Sequence, residues 1–233
     1  MSNEKFIPVW NKDIVKFNNH PNIPSSFRML LIGPSGCGKT CLLLKMLLEP
    51  NFLDYDNLII FSPTVKQSEY QILEHGFQNG LTKEDIINIF NKQDSFNDND
   101  GIEFICKKIS DEKGFSNPVI KTMFNDNSTK MPETLSGKKT LIVFDDCINL
   151  KNQEIMNSYF TRGRHNKCNC IYLSQNYYEL DKNNIRGNSN MFIFFKLGKK
   201  DKNAIYHDLY STLLDKEKYD EIVDEWWNNK YGY

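Results

Sequence analysis

Short apolar runs alternate along this chain with longer amphipathic or polar stretches. Five of the runs have the length and the β-branched and aromatic content of buried strands. They are Met29 to Ile32, Asn57 to Phe61, Leu141 to Phe144, Cys170 to Leu173 and Met191 to Phe195. Each run ends in polar residues, and helical or crossover segments separate them. This pattern predicts a mostly parallel central sheet flanked by helices on both faces.

The stretches between the runs predict the helices. Helical periodicity is present in Cys41 to Leu48, Lys66 to His75 and Thr82 to Asn91. The segment Lys92 to Lys139 is polar and irregular, so we expect helices and loops outside the sheet there. One short amphipathic helix is expected around Ile102 to Ile109.

The length of 233 residues suits one α/β domain with a sizeable core, and no composition shift divides the chain. We predict an N-terminal arm over residues 1–27, which carry three prolines and no sustained periodicity. The core is predicted over residues 28–200. A C-terminal helical extension is predicted over residues 201–233, because the tail is amphipathic.

The first predicted strand is followed by Gly-Pro-Ser-Gly-Cys-Gly-Lys-Thr at residues 33–40 and then by a predicted helix. This is a complete P-loop, whose backbone N–H groups and helix N-terminus bind phosphate oxygens. Lys39 is expected to reach the β- and γ-phosphates and Thr40 to hold Mg²⁺. A glycine turn that matches by accident is disfavoured by the flanking strand and helix. The predicted nucleotide-binding residues are Gly33, Pro34, Ser35, Gly36, Cys37, Gly38, Lys39, Thr40 and Cys41.

Two carboxylates, Asp145 and Asp146, follow the third predicted strand. Open α/β sheets bind their ligands at the C-terminal ends of the strands. The segment resembles a Walker B motif, in which Asp145 is a Mg²⁺ ligand and Asp146 orients or deprotonates the attacking water. The alternative is a pair of aspartates that only caps the end of a core strand.

Three further positions are candidates for contacts with the γ-phosphate. Gln175 follows the fourth predicted strand and is a candidate sensor, with a simple strand-end turn as the alternative. Arg162 and Arg164 flank a glycine between the third and fourth strands, and a guanidinium inserted from a neighbouring subunit can neutralise transition-state charge. A solvated basic loop is their alternative. Arg186, before the fifth strand, competes for the same role.

Composition excludes little. Lys and Arg number 29 against 30 Asp and Glu, so a nucleic-acid contact needs a local basic surface. The cysteines lie in or beside predicted core elements and no signal pattern opens the chain, so we expect a reducing compartment and no secretion. No apolar stretch approaches the ~20 residues that span a bilayer, so we expect no membrane insertion.

Taken together, these motifs resemble the genome-packaging ATPases of large DNA viruses and virophages, the poxvirus-type branch of the FtsK/HerA superfamily. The matching segments are the P-loop, Phe-Asp-Asp at 144–146, Thr-Arg-Gly-Arg-His at 161–165, Tyr-Leu-Ser-Gln at 172–175 and Ile-Arg-Gly-Asn-Ser-Asn at 185–190. The resemblance implies a P-loop NTPase of the RecA/ASCE-like type, with residues 28–200 as the ATPase core. Members of this type usually have Glu where Asp146 stands.

The resemblance further implies a homo-oligomeric ring, pentameric or hexameric, that hydrolyses ATP with Mg²⁺ and translocates double-stranded DNA into a preformed capsid. Capsid vertex proteins would be its partners, and the virion or the host-cell cytoplasm its location. The catalytic roles carry over to Lys39, Asp145, Asp146 and Gln175, while Arg162 and Arg164 match the arginine-rich motif. The sequence identifies no DNA-gripping loop. Lysines that could contact DNA phosphates are Lys138, Lys139, Lys199, Lys200 and Lys202.

Two other functions stay open. A P-loop kinase acting on a small molecule would need an arginine-bearing lid or an acceptor pocket, for which the sequence has no signature. A nucleotide-dependent capsid assembly or scaffold protein would bind ATP only to order its ring, and Asp146 in place of Glu is compatible with that. Stimulation of turnover by DNA separates the motor from both.

Overall fold

A computed structural model describes residues 17–92, 101–114, 120–126, 138–149, 153–163 and 167–228. They contain a six-stranded sheet in which every neighbouring pair of strands is parallel. The strands are β1 Arg28–Ile32, β2 Asn57–Phe61, β3 Lys121–Asn125, β4 Thr140–Asp145, β5 Cys168–Ser174 and β6 Met191–Phe194. The predicted α/β fold, with helices flanking a parallel sheet, is confirmed.

The strand order is β3-β2-β4-β5-β1-β6. Strand β5 therefore lies between β1, which precedes the P-loop, and β4, which ends in Asp145. Strand β5 is thus inserted between the strand that precedes the P-loop and the strand that ends at the Asp pair. It also places the C-terminal ends of β1, β4 and β5 side by side, where ligands of such sheets bind.

Strand β3 corrects the sequence prediction for Lys92 to Lys139, which we expected to lie outside the sheet. Among the strands of the described residues it pairs with β2 alone, at one side of the sheet. An edge strand needs no continuous apolar run, and Lys-Thr-Met-Phe-Asn has none, with Met123 exposed. The criterion that identified the other five strands therefore missed this one.

Seven α-helices lie within the described residues. They are α1 Lys39–Leu48, α2 Ser68–Gln78, α3 Lys83–Asn91, α4 Ile102–Lys113, α5 Gln153–Arg162, α6 Lys199–Ile205 and α7 Lys216–Asn228. A capping box fixes the start of α3, since the Thr82 side chain accepts from the Asp85 N–H and Asp85 accepts from the Thr82 N–H. No helix in this part of the chain is both long and apolar enough to cross a bilayer.

Both faces of the sheet are covered. Met29 and Leu31 of β1 pack with α1, α2 and α3 on one face, whereas Leu30 and Ile32 pack toward α5 on the other. Burial on both faces explains why the inner strands are uninterrupted apolar runs. On the α5 face, the ring of Phe144 lies at the centre of an aromatic cluster, 5.8–6.3 Å between ring centroids from Phe61, Tyr159, Phe160 and Tyr172.

The segment predicted as a C-terminal extension packs on this second face. Ile205 and Tyr219 are buried in the same hydrophobic cluster as β1 and β4. Asp201, also buried, accepts hydrogen bonds from the backbone N–H groups of Tyr177 and Tyr178 at 2.6 and 3.1 Å. The first turns of this segment are therefore held to the core by both apolar packing and hydrogen bonds.

Candidate active site

The glycine loop connects β1 to the first residue of α1. Gly36 and Gly38 have φ angles of 74° and 99°, in the left-handed region where a side chain would be strained. At Gly33, a Cβ would lie 2.6 Å from the Sγ of Cys37 and 2.7 Å from the Cβ of Phe195, so glycine is required for space. The loop backbone thus has the tight turn that phosphate binding needs.

The Lys39 ammonium lies over this loop. Its Nζ donates hydrogen bonds to the carbonyl oxygens of Gly33 and Pro34, at 2.6 and 2.9 Å. Thr40 is the next residue of α1 and is half-buried, and Cys41 is exposed. A positive charge and the N-terminus of a ten-residue helix therefore meet at one end of the loop, which favours an anionic ligand there.

Asp145 is the last residue of β4, and its side chain is buried, with the whole residue 7% exposed. Its Oδ2 accepts a hydrogen bond from the Tyr70 hydroxyl at 2.8 Å and a longer one from the Ser62 hydroxyl at 3.4 Å. Burial raises the pKa of this carboxyl, and so does the charge of Asp146, whereas the Tyr70 hydrogen bond and the charge of Lys39 lower it. Asp145 is thus close enough to Lys39 to interact with its charge.

Asp146 differs from its neighbour in being exposed and in its backbone, which has a φ of 53°. Its Oδ2 accepts a hydrogen bond from the Gln175 side-chain amide at 3.0 Å. The strand register explains this contact, because Asp145 pairs with Leu173 and the Asp146 N–H donates to the Leu173 carbonyl. The Gly33 N–H in turn donates to the Ser174 carbonyl at 3.1 Å.

The structure therefore brings together the P-loop, the Asp pair and Gln175 at the C-terminal ends of β1, β4 and β5. Their individual catalytic roles remain predictions. The oxygen ligands of this group suit a hard cation, since the Asp145 carboxylate and the Thr40 hydroxyl are the donor types that Mg²⁺ prefers. Within the described part of the chain, the hydrogen bonds of the Asp145 side chain go to Oδ2 alone.

The candidate arginines differ in their surroundings. Arg162 is the exposed last residue of α5, and Arg164 lies outside the described residues. Arg186 has a side chain only 11% exposed, which pairs with the Asp208 carboxylate at 2.8 Å and lies 5.0 Å over the Tyr177 ring. An arginine that reaches into a neighbouring subunit must be free to extend, so this environment favours Arg162 over Arg186.

The candidate DNA-contacting lysines also divide into two groups. Lys139 pairs with Asp54 at 2.6 Å, and Lys202 pairs with Asp220 and Asp224 at 3.1 and 2.6 Å. Lys138, Lys199 and Lys200 are exposed, with Lys200 4.4 Å over the Tyr178 ring. The exposed three are better placed for phosphate contacts, because the paired two would have to give up a carboxylate.

Sequence reasoning missed Tyr70 and Ser62 as members of the site. Tyr70 is one apolar position of an amphipathic helix, so its sequence position indicates only a core residue. Ser62 follows β2 in the same way that Gln175 follows β5, and this position at a strand end was a usable signal. The contact of either side chain with Asp145 depends on packing that no local pattern encodes.

No protein-family model and no curated protein matches the sequence. Solved structures that it resembles include the genome-packaging NTPase B204 of Sulfolobus turreted icosahedral virus 2 in complex with ATPγS. The TM-score for that structure is 0.44, and the identity is 12% over 84% of this chain and 86% of that one. VirB4 of Thermoanaerobacter pseudethanolicus gives a TM-score of 0.44 and 12% identity over 86% of this chain and 84% of that one. Similarity at this level leaves the function to be decided by the geometry of the chain's own site.

Proposed function

We propose that this chain is an ATP hydrolase that uses turnover to translocate double-stranded DNA into a preformed viral capsid. One observation carries the hydrolase assignment. At the C-terminal ends of β1, β4 and β5, the P-loop with Lys39 lies beside Asp145 and the hydrogen-bonded pair Asp146–Gln175. The transported substrate is inferred from the order of the sequence motifs.

In the proposed reaction, the loop N–H groups and the N-terminus of α1 bind the phosphates of ATP. Lys39 exchanges its loop carbonyl partners for β- and γ-phosphate oxygens. Asp146 orients the attacking water and accepts its proton as the water oxygen bonds to the γ-phosphorus. The bond from the γ-phosphorus to the β–γ bridging oxygen breaks, and ADP and inorganic phosphate leave. Mg²⁺, held by Thr40 and Asp145, would supply neutralisation of the phosphate charge.

Gln175 has a defined place in this scheme. Its amide donates to Asp146, and the residue directly follows β5, the strand next to the P-loop strand. A change in its hydrogen bonding on loss of the γ-phosphate would therefore be passed directly to the water-orienting carboxylate.

The motor part of the proposal is a homo-oligomeric ring in which Arg162 of one subunit completes the site of the next. The exposure of Arg162 at the end of α5 supports it, and so does the resemblance of the motifs to packaging ATPases. Exposed Lys138, Lys199 and Lys200 are the proposed contacts with DNA phosphates. Capsid vertex proteins as partners, and the virion or host cytoplasm as the location, belong to the same proposal.

The deciding experiment is steady-state ATP hydrolysis with and without double-stranded DNA at two salt concentrations. We expect stimulation by DNA that weakens as salt rises, because phosphate contacts release counterions. Hydrolysis unaffected by DNA, lost in Lys39→Ala, would leave an ATPase and contradict the motor. ADP formation that depends on a small acceptor would identify a kinase.

A nucleotide-dependent assembly protein is the second candidate, and the Asp146 side chain favours it. Asp is one methylene shorter than Glu and the residue is exposed, so water is less firmly ordered than at a buried glutamate. ATP binding that promotes ring formation with no measurable hydrolysis, with or without DNA, would support this function over the motor.

A further inference from the structure

The Asp145 carboxylate is held by a side chain from a different layer of the fold. Tyr70 lies in the first turn of α2 and is fully buried, with 0% exposure. Its hydroxyl donates to Oδ2 of Asp145 at 2.8 Å, and the 3.4 Å contact from Ser62 reaches the same oxygen.

The direction of this hydroxyl is fixed by packing. The Tyr70 ring contacts the Phe124 ring of β3 in an edge-on arrangement, with centroids 6.4 Å apart and planes at 64°. Helix α2 also packs on β3 and α4. A phenol held in this way fixes one carboxylate oxygen and leaves the other oxygen of the same group for a different partner.

We propose that Tyr70 is a positioning residue for the cation that accompanies the nucleotide. It holds Oδ2 of Asp145, so that the carboxylate is oriented before Mg²⁺ arrives. The inference rests on the proposed function, because it takes Asp145 as a Mg²⁺ ligand. Hydrogen-bond donors behind metal ligands typically contribute 10–100-fold to metal affinity or activity. Edge strand β3 then has a role at the site through Phe124.

The test compares Tyr70→Phe with Tyr55→Phe. Tyr55 is a matched control because it is also buried and its hydroxyl also makes a 2.8 Å hydrogen bond, to the Leu47 carbonyl and outside the site. Binding of a fluorescent ATP analogue is measured in EDTA and across a Mg²⁺ titration. We expect Tyr70→Phe to need about tenfold more Mg²⁺ for half-maximal binding. In EDTA its nucleotide affinity should match the wild type, and Tyr55→Phe should match it in both conditions.

A Mg²⁺ requirement of Tyr70→Phe equal to that of the wild type overturns the inference and leaves the nucleotide site intact. A wild type that binds no nucleotide, or binds it without any effect of Mg²⁺, contradicts the proposed function instead. In an Asp145→Asn background, Tyr70→Phe should produce no further change, since its effect passes through that carboxylate.

Ser62→Ala is the second variant, and it keeps the test decisive if Tyr70→Phe folds poorly. It removes the longer of the two contacts, so the Mg²⁺ requirement should rise by less than tenfold. If Tyr70→Phe does not fold, no rise in the Mg²⁺ requirement of Ser62→Ala would overturn the inference that Asp145 is oriented from this side. Melting temperatures of all variants show whether a shift accompanies loss of fold.

Discussion

Asp146 and Asp145 are adjacent residues with opposite surroundings, and their expected roles follow from that difference. Asp145 is buried and accepts a hydrogen bond from the Tyr70 hydroxyl, so its carboxylate is held in one orientation. Asp146 is exposed and contacts the Gln175 amide, so it can meet water and still be oriented. One carboxylate is thus suited to bind a cation and the other to act on a nucleophile.

Asp146→Asn tests the second role. The left-handed φ of 53° is tolerated by Asn better than by most residues, so the backbone should be kept. We expect ATP to bind normally and hydrolysis to fall about 10²–10⁴-fold, because the amide cannot accept the proton. Binding and single-turnover hydrolysis are measured side by side. Loss of binding would instead identify Asp146 as a cation ligand.

Lys39→Ala tests the phosphate contact. Removing the ammonium takes away the charge that faces the phosphates, so both nucleotide binding and hydrolysis should be lost or strongly reduced. Lys45→Ala is the matched control, since Lys45 is an exposed lysine of the same helix. Full hydrolysis in Lys39→Ala would mean that the P-loop is not the active site.

Cys106 gives a pH-dependent prediction. It is buried in α4, and burial raises the pKa of its thiol from 9.0 to about 11. The unfolded thiol loses its proton near pH 9 while the folded one keeps it, so this stabilisation is complete below pH 9 and decreases up to pH 11. Two pKa units correspond to about 3 kcal/mol. Urea unfolding of Cys106→Ala should show a shallower fall in stability over this range than the wild type, and equal slopes would contradict the shift.

At the scale of elements, the strands with an apolar run were predictable, including edge strand β6, whereas edge strand β3, which has no such run, was not. The runs of β1, β2, β4 and β5 are continuous because helices cover both faces of the sheet. Strand β3 has one neighbour and mixed residues, so its place depends on pairing with β2. Asp145, Asp146 and Gln175 could be predicted because they stand at the ends of apolar strands. Tyr70 could not, because it reaches the site only through the packing of α2 against the sheet.

The C-terminal helices offer a stability prediction at the same scale. Tyr219 of α7 is 2% exposed, lies 5.2 and 5.4 Å from the Tyr206 and Tyr210 rings, and donates to the Lys202 carbonyl at 3.1 Å. Tyr219→Ala should lower the free energy of unfolding by about 3–5 kcal/mol. Trp226→Ala, at a position 60% exposed on the same helix, should cost far less. Equal losses in urea unfolding would show that α7 is not part of the cooperative core.

For the whole molecule, the sheet order explains why residues distant in sequence meet. Three distant segments meet at the C-terminal ends of β1, β4 and β5, and they contribute Lys39, Asp145 and Gln175. The sequence could identify these segments because each follows an apolar run. It could not place Arg162 relative to them, since Arg162 lies on the exposed end of α5 and its proposed partner is a second copy of the chain.

Complementation between two inactive variants tests that arrangement. Arg162→Ala alone should hydrolyse ATP about 10³-fold more slowly if its guanidinium neutralises transition-state charge. In a ring mixed from the two variants, the Arg162→Ala subunits supply intact P-loops, and neighbouring Lys39→Ala subunits supply intact arginines. An equal mixture should therefore regain about a quarter of wild-type hydrolysis if each interface acts independently. Lys39→Ala mixed with Asp146→Asn should regain nothing, because both groups belong to one subunit's site. Failure of the first mixture to exceed the second would place Arg162 outside the active site of a neighbouring subunit.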